Sequence, residues 1–201
     1  VRNTLDKKII AIAGNARSGK DTLGRYISEI LNNHEISTSL NSFAKALKLE
    51  VDPLLKNSLG ISAFTEDSNE KKLIRDFLVF WGSDFRRRLD ENVWINELEK
   101  AYDKKSVLII TDLRFENELK WVRQNNGIVL FISRINDNGE MIEPANSYEE
   151  INNKILLESC DNSLTWLTTK DESLLKNLSH EIISPLLNKE IFELWKATCP
   201  L

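Results

Sequence analysis

Residues 8–31 constrain the fold more than any other part of the chain. Lys8-Ile9-Ile10-Ala11-Ile12-Ala13-Gly14 is a short continuous apolar run ending in glycine. A run apolar on both faces suits a strand buried in a parallel sheet better than a half-exposed hairpin strand. A polar turn follows, and then Leu23, Tyr26, Ile27, Ile30 and Leu31 recur at i, i+3, i+4, i+7 and i+8, one face of a helix. Between strand and helix stands Gly14-Asn15-Ala16-Arg17-Ser18-Gly19-Lys20, of the form G-x-x-x-x-G-K. Three fixed positions of common residues arise by chance in about one in twenty chains of this length. The strand before and the helix after are what give the string meaning. There the loop amides point inward at phosphate oxygens, the helix N-terminus adds its positive dipole end, and Lys20 reaches the β- and γ-phosphates.

The residue after the lysine is Asp21, where a hydroxyl residue normally serves Mg²⁺, and Thr22 follows. A carboxylate can hold this hard cation directly or through water but repels bare triphosphate, so the spacing predicts strict metal dependence.

Further apolar runs repeat the alternation. Val107-Leu108-Ile109-Ile110 reads as a strand, Phe115, Leu119 and Val122 as a helix, and Ile128 to Ile132 and Leu164 to Thr169 as more strands. The expected fold is therefore α/β, a three-layer αβα of P-loop type with a parallel sheet. The stretch from 52 to 105 shows no strand signal. It reads as a helical insertion over the strand ends of a single 201-residue domain, with a helix ended by Gly82 and another capped by Asp90. Residues 135–146 read as a short lid or loop, and Ser184-Pro185 as the start of a last helix bearing Leu187, Ile191, Leu194 and Trp195.

Composition removes several function classes. Lys plus Arg number 27 against 31 Asp plus Glu, a net charge of −4. That balance argues against a nucleic-acid partner. No apolar run approaches the ~20 residues that span a bilayer, so no membrane association is expected. Two cysteines without C-x-x-C spacing and two separated histidines make neither a disulfide framework nor a zinc centre. The chain is expected to be cytoplasmic. Exposed members of its five tryptophans would suit a homodimer face, although buried packing suits them better.

A second constellation, Thr111 to Glu118, follows the 107–110 strand. In open parallel sheets ligands gather at the carboxyl ends of strands, which puts Asp112 and Arg114 on the rim of the cradle. Asp112 suits either metal-bound water or a helix N-cap; Glu118 suits either a site or a solvated helix face. Arg17, Arg75, the run Arg86-Arg87-Arg88 and Arg134 supply further guanidiniums, the usual means of neutralising a transferring phosphoryl group.

At these residues the chain resembles the bacteriophage-type deoxynucleoside monophosphate kinases. The likeness lies in Gly14 to Thr22, with the ending Ser-Gly-Lys-Asp-Thr, and in Phe43-Ala44-Lys45-Ala46-Leu47-Lys48, similar to the family's Ala-x-x-Leu-Lys. It continues in Arg75 through Trp94, where an Arg five residues past Gly82 and a Trp twelve past it single out Arg87 and Trp94. Thr111 to Glu118 is similar to the family's Asp-x-Arg-x-x-Asn-Glu, and the next strand ends in Arg134. Beyond it, relatives often carry His-x-(Ser/Thr)-Glu; here Asn146-Ser147-Tyr148-Glu149 stands without the His.

The resemblance implies transfer of the γ-phosphoryl group of ATP to a deoxynucleoside 5′-monophosphate, with Mg²⁺, in a bacterium or phage-infected host. It implies that Gly14, Asn15, Ala16, Arg17, Ser18, Gly19, Lys20, Asp21, Thr22 and Arg134 bind ATP, and that Asp21, Thr22 and Asp112 place the metal. Ala44, Lys48, Arg75, Arg87, Trp94, Asp112, Arg114 and Glu118 would then bind the acceptor, with Lys20, Arg87 and Arg114 catalytic. Two alternatives remain open at this point: another small-molecule kinase sharing the Gly-Lys-Asp loop, such as a phosphomevalonate kinase, and a non-catalytic ATP-binding regulator.

Overall fold

The computed structural model describes residues 9–102, 106–136, 138–144, 147–167 and 172–184. The chain divides into two compact units, one of Val1–Leu40 with Asp103–Leu201, the other Asn41–Tyr102. The first is a five-stranded sheet, β1 (Ile9–Ala13), β2 (Thr38–Asn41), β3 (Val107–Leu113), β4 (Ile128–Ile135) and β5 (Asn162–Leu167), in the order β2-β3-β1-β4-β5. β1 pairs parallel with β3 (Ile9 opposite Leu108) and with β4 (Ile10 opposite Ile128), and β4 pairs parallel with β5. The doubly wound parallel α/β fold expected from the alternating runs is therefore present.

The order explains the layers. Right-handed crossovers put α1 (Lys20–Asn33), which leads from β1 toward the β2 edge, on one face. They put α6 (Glu116–Gln124) and α7 (Ser147–Glu158), which lead the other way, on the opposite face. Ile10 and Ile12 lose all exposure between these layers. Each such side chain contributes roughly 1.5–3 kcal/mol through burial. On the α1 face they pack with Leu23, Ile27 and Leu31, and α8 (Glu172–Ile183) adds Ile182 and Ile183 to the same cluster.

Three elements differ from expectation. β2, with the sequence Thr-Ser-Leu-Asn, lies at the sheet edge and is only partly buried, so it lacks the apolar run that marks its neighbours. α7 and α8 were not anticipated, and the expected helix from Ser184-Pro185 lies outside the described residues apart from Ser184.

The second unit begins at Asn41, ahead of position 52. Its helices are α2 (Phe43–Leu59), α3 (Ser68–Val79), a π-helix (Phe80–Arg86), α4 (Arg87–Leu89) and α5 (Val93–Ala101). Ser42 caps α2 through Lys45 N–H, and Asp67 caps α3 through two amides. Gly82 does not end its helix. Glycine ends helices by turning left-handed, whereas Gly82 keeps a negative φ; it is buried, and a Cβ there would lie 2.8 Å from Leu47. The wide π turn carries the chain on to Leu89. Among the described residues no helix is long and apolar enough to cross a membrane.

Gly24 sets how closely α1 lies on the sheet. A Cβ there would meet Thr111 Cγ2 at 2.5 Å and Leu40 Cδ1 at 3.1 Å. In an exposed helix interior Gly→Ala gains about 1 kcal/mol. Gly24→Ala is expected to reverse that sign and destabilise by about 1–3 kcal/mol, the usual cost of overpacking, read as a lowered urea midpoint at constant m.

Candidate active site

The loop joining β1 to α1 is a tight turn fixed by its surroundings. Gly14 has φ 142°. A Cβ there would stand 2.1 Å from the Ile132 carbonyl oxygen of β4, so only glycine lets the chain leave the strand this way. Arg17 takes a left-handed φ of 65°, and Gly19 leads into α1. From the far edge strand, the Trp166 indole N–H donates to the Ser18 carbonyl at 2.7 Å, with its ring against Gly19. Ser18 Oγ is buried with no hydrogen-bond partner among the described residues. That is a costly state for a hydroxyl, which fits a loop shaped for a polar ligand.

Lys20 is buried, and its Nζ donates to the Gly14 and Asn15 carbonyls at 2.8 and 2.7 Å. Burial pulls its pKa down to about 8, and the Arg114 guanidinium adds to the fall; Glu149, Asp21 and Asp112 act the other way. These charged groups therefore share the environment of one ammonium. Asp21 is exposed in the first turn of α1, and its Oδ1 accepts from the buried Thr111 hydroxyl at 2.6 Å. Thr111 thus presents its methyl to the gap left by Gly24 and its hydroxyl to Asp21.

Asp112 lies half-buried within β3 and is not a helix cap; α6 is capped at Phe115. Glu118 is not on a solvated face. It is 1% exposed, and its Oε2 accepts from the Arg114 and Phe115 amides at 2.9 and 3.0 Å. It anchors the backbone from which the exposed Arg114 extends. Arg134 Nη1 donates to the Arg17 carbonyl at 3.2 Å, tying β4 to the loop.

Thr22 is half-buried in the first turn of α1, and the other sequence-derived residues belong to the second unit. Arg75 is exposed on α3, beside the buried Ile74. Arg87 Nη1 donates to the Glu91 carbonyl at 3.2 Å. Its neighbour Arg86 is engaged with Glu50 at 2.9 Å and lies over the Trp94 ring at 5.8 Å. Trp94 is buried, with its indole N–H donating to Gly82 O at 3.0 Å, so it supports this unit from within. Lys48 Nζ lies 5.6 Å from the Phe64 ring centroid, and Ala44 is half-buried in the first turn of α2.

Sequence reasoning missed Thr111, Glu149, Asn153 and Trp166 as parts of the cradle. Ala16 N–H donates to Glu149 Oε1 at 3.0 Å, and Asn153 Nδ2 to Asn15 Oδ1 at 2.5 Å. Thr111 carried a local signal, its place at the end of a buried run, and Glu149 one, its place in the string that resembles His-x-(Ser/Thr)-Glu.

The oxygens on hand suit Mg²⁺. No group of three or more His, Cys, Asp or Glu residues able to hold a metal occurs among the described residues. Mg²⁺, however, is usually held by one or two carboxylates with phosphates and water. Asp21, with its carboxylate oriented by Thr111, and Asp112 provide that.

Glu118→Ala is expected to destabilise the protein by about 1–3 kcal/mol, because two partly buried amides lose their acceptor. Glu118→Gln, which keeps an acceptor oxygen, should lose less than half as much by urea denaturation.

The phosphomevalonate kinase family model matches residues 12–127, more than half of the 201-residue chain. No curated protein matches by sequence. Among solved structures, a dephospho-CoA kinase from Campylobacter jejuni is 15% identical, covering 92% of this chain and 99% of that one with a TM-score of 0.42. A gluconokinase from Sinorhizobium meliloti is 13% identical, covering 92% and 95% with a TM-score of 0.42. The matched segment runs from β1 through the loop, Lys20 and the Asp112–Arg114 rim to the end of α6, and on that match the chain belongs to the phosphomevalonate kinase family.

Proposed function

We propose that this protein transfers the γ-phosphoryl group of ATP to the phosphate of a deoxynucleoside 5′-monophosphate, giving the diphosphate and ADP. The observation that carries the reading is the buried Lys20 at the head of α1, its Nζ held by two loop carbonyls and within the influence of Arg114, Asp21 and Asp112. An acceptor phosphate oxygen is already ionised near neutrality, so the reaction needs no general base. It needs two polyanions aligned and their repulsion neutralised.

In this reading the amides from Gly14 to Gly19 and Lys20 hold the triphosphate, and Arg134 braces the loop at Arg17. Asp21, Thr22 and Asp112 would hold Mg²⁺, which would supply positive charge against the phosphates. Arg114, fixed by Glu118, faces the developing charge, and Arg75 and Arg87 are the acceptor-side guanidiniums. Arg87 rather than Arg86 is given this role by its place five residues past Gly82 in the resemblance. The nucleoside acceptor is supported by the four-segment resemblance. It is also supported by the exposed rings of Phe80 and Phe85, which give the second unit flat surfaces suited to a base.

Family membership favours a second reading, in which the acceptor is phosphomevalonate, likewise a phosphomonoester. A coupled ADP-release assay across the common dNMPs, NMPs and phosphomevalonate separates the two. At least one dNMP is expected to turn over about a hundredfold faster than phosphomevalonate, a gap of roughly 2.7 kcal/mol in barrier. The reverse ranking would assign the second reading, and ADP release that no acceptor accelerates would leave a regulator.

A second test uses Lys20. A polyphosphate favours the ammonium form and raises its pKa in the complex, so ATP affinity should fall as pH rises through about 8. Calorimetry at pH 8.5 in buffers of differing ionisation enthalpy should show proton uptake on binding, and Lys20→Met should abolish it.

A further inference from the structure

The cradle's capacity for anions is already partly met from within the chain. In the middle of the loop, where backbone amides face an anion, Ala16 N–H donates to a carboxylate oxygen of Glu149 at 3.0 Å. Glu149 sits in the first turn of α7, 133 residues along the chain. An acidic residue there ordinarily favours its own helix dipole, and this carboxylate also reaches a remote loop. The same loop is held once more to α7 and once to the segment that follows β4. Asn153 Nδ2 donates to Asn15 Oδ1 at 2.5 Å, and Asn15 Nδ2 donates to the Ile142 carbonyl at 2.5 Å. Asn153 is itself buried.

A carboxylate is the side chain whose charge and paired oxygens come nearest to a phosphate. It makes the same short, charge-assisted bond to a backbone amide. One N–H cannot serve both at full strength, and a phosphate oxygen placed at Ala16 would also meet the repulsion of the Glu149 carboxylate. Lys20 meanwhile spends two of its donors on the loop carbonyls. Two of the groups that a triphosphate would use in this loop, the Ala16 amide and the Lys20 ammonium, therefore have resident partners.

We propose that Glu149 is an internal competitor for the nucleotide's phosphates: its carboxylate occupies the Ala16 amide in the resting loop and withdraws when a polyphosphate arrives, loosening α7 from the cradle. The proposal rests on reading this loop as the ATP site. Apparent affinity falls by the fraction of molecules whose loop is free of the carboxylate. Removing the competitor tightens binding by the inverse of that fraction.

The test is equilibrium titration of the full chain with Mg·ADP and Mg·ATP, for wild type, Glu149→Ala, Glu149→Gln and Glu150→Gln. Thermal melts without nucleotide confirm that each is folded. Glu150 is the exposed neighbour and controls for the loss of one negative charge nearby. Glu149→Ala is expected to lower Kd about three- to tenfold, as release from a mostly occupied state requires. Glu149→Gln should fall between it and wild type, and Glu150→Gln should stay within about 1.5-fold of wild type. Unchanged or weaker binding in both Glu149 variants would overturn the proposal while leaving the ATP reading intact, as would equal tightening in Glu150→Gln. Failure of every protein, wild type included, to bind either nucleotide would overturn the ATP reading and the competitor with it.

Discussion

The contact between Gly14 and the Ile132 carbonyl is the constraint from which the site follows. β1 and β4 are parallel neighbours, and the chain can leave β1 only by passing within a side chain's breadth of the adjacent strand. A residue without Cβ makes that passage and sets the loop's direction. α1 then starts where its first turn delivers Lys20 into the buried centre and Asp21 to the Thr111 hydroxyl. Gly24, one turn on, keeps the helix close enough for that hydroxyl to reach. Removing side chains at two points on the path is what allows a cation and an anion to be placed beside each other.

The local electrostatics have a shared logic. Lys20 sits where burial works against its charge, with a guanidinium also opposing it and three carboxylates supporting it. Such an arrangement holds the ammonium in a poised state, improved by any arriving anion. Glu118 shows the complementary device. Its carboxylate is almost wholly buried yet well supplied by two amides, so its contribution is positional and passes through the backbone of Arg114.

Much of this was legible in the residues themselves. β1, β3 and β4 are apolar on both faces and declare themselves, as do the apolar stripe of α1 and the glycine spacing of the loop. β2 was not legible as a strand, because an edge strand of Thr-Ser-Leu-Asn buries too little to need an apolar run. Gly82 misled for a physical reason: the same residue type ends helices and admits close packing, and only the φ angle separates the two uses. Glu118 was ambiguous because its capping partner is Phe115, which lacks the side-chain acceptor that usually marks such a pair. The bonds from Glu149, Asn153 and Trp166 to the loop span well over a hundred positions and leave no periodic trace in sequence.

Trp166 carries one more consequence. The loop stands near the start of the chain, but the indole that braces its Ser18 carbonyl comes from β5, the last strand described. During synthesis the amino-terminal strand and helix emerge first, and chains generally begin to organise in that order. Here the nucleotide loop lacks its final brace until the ribosome has released residue 166, so a nascent chain cannot use the finished pocket as an early folding template.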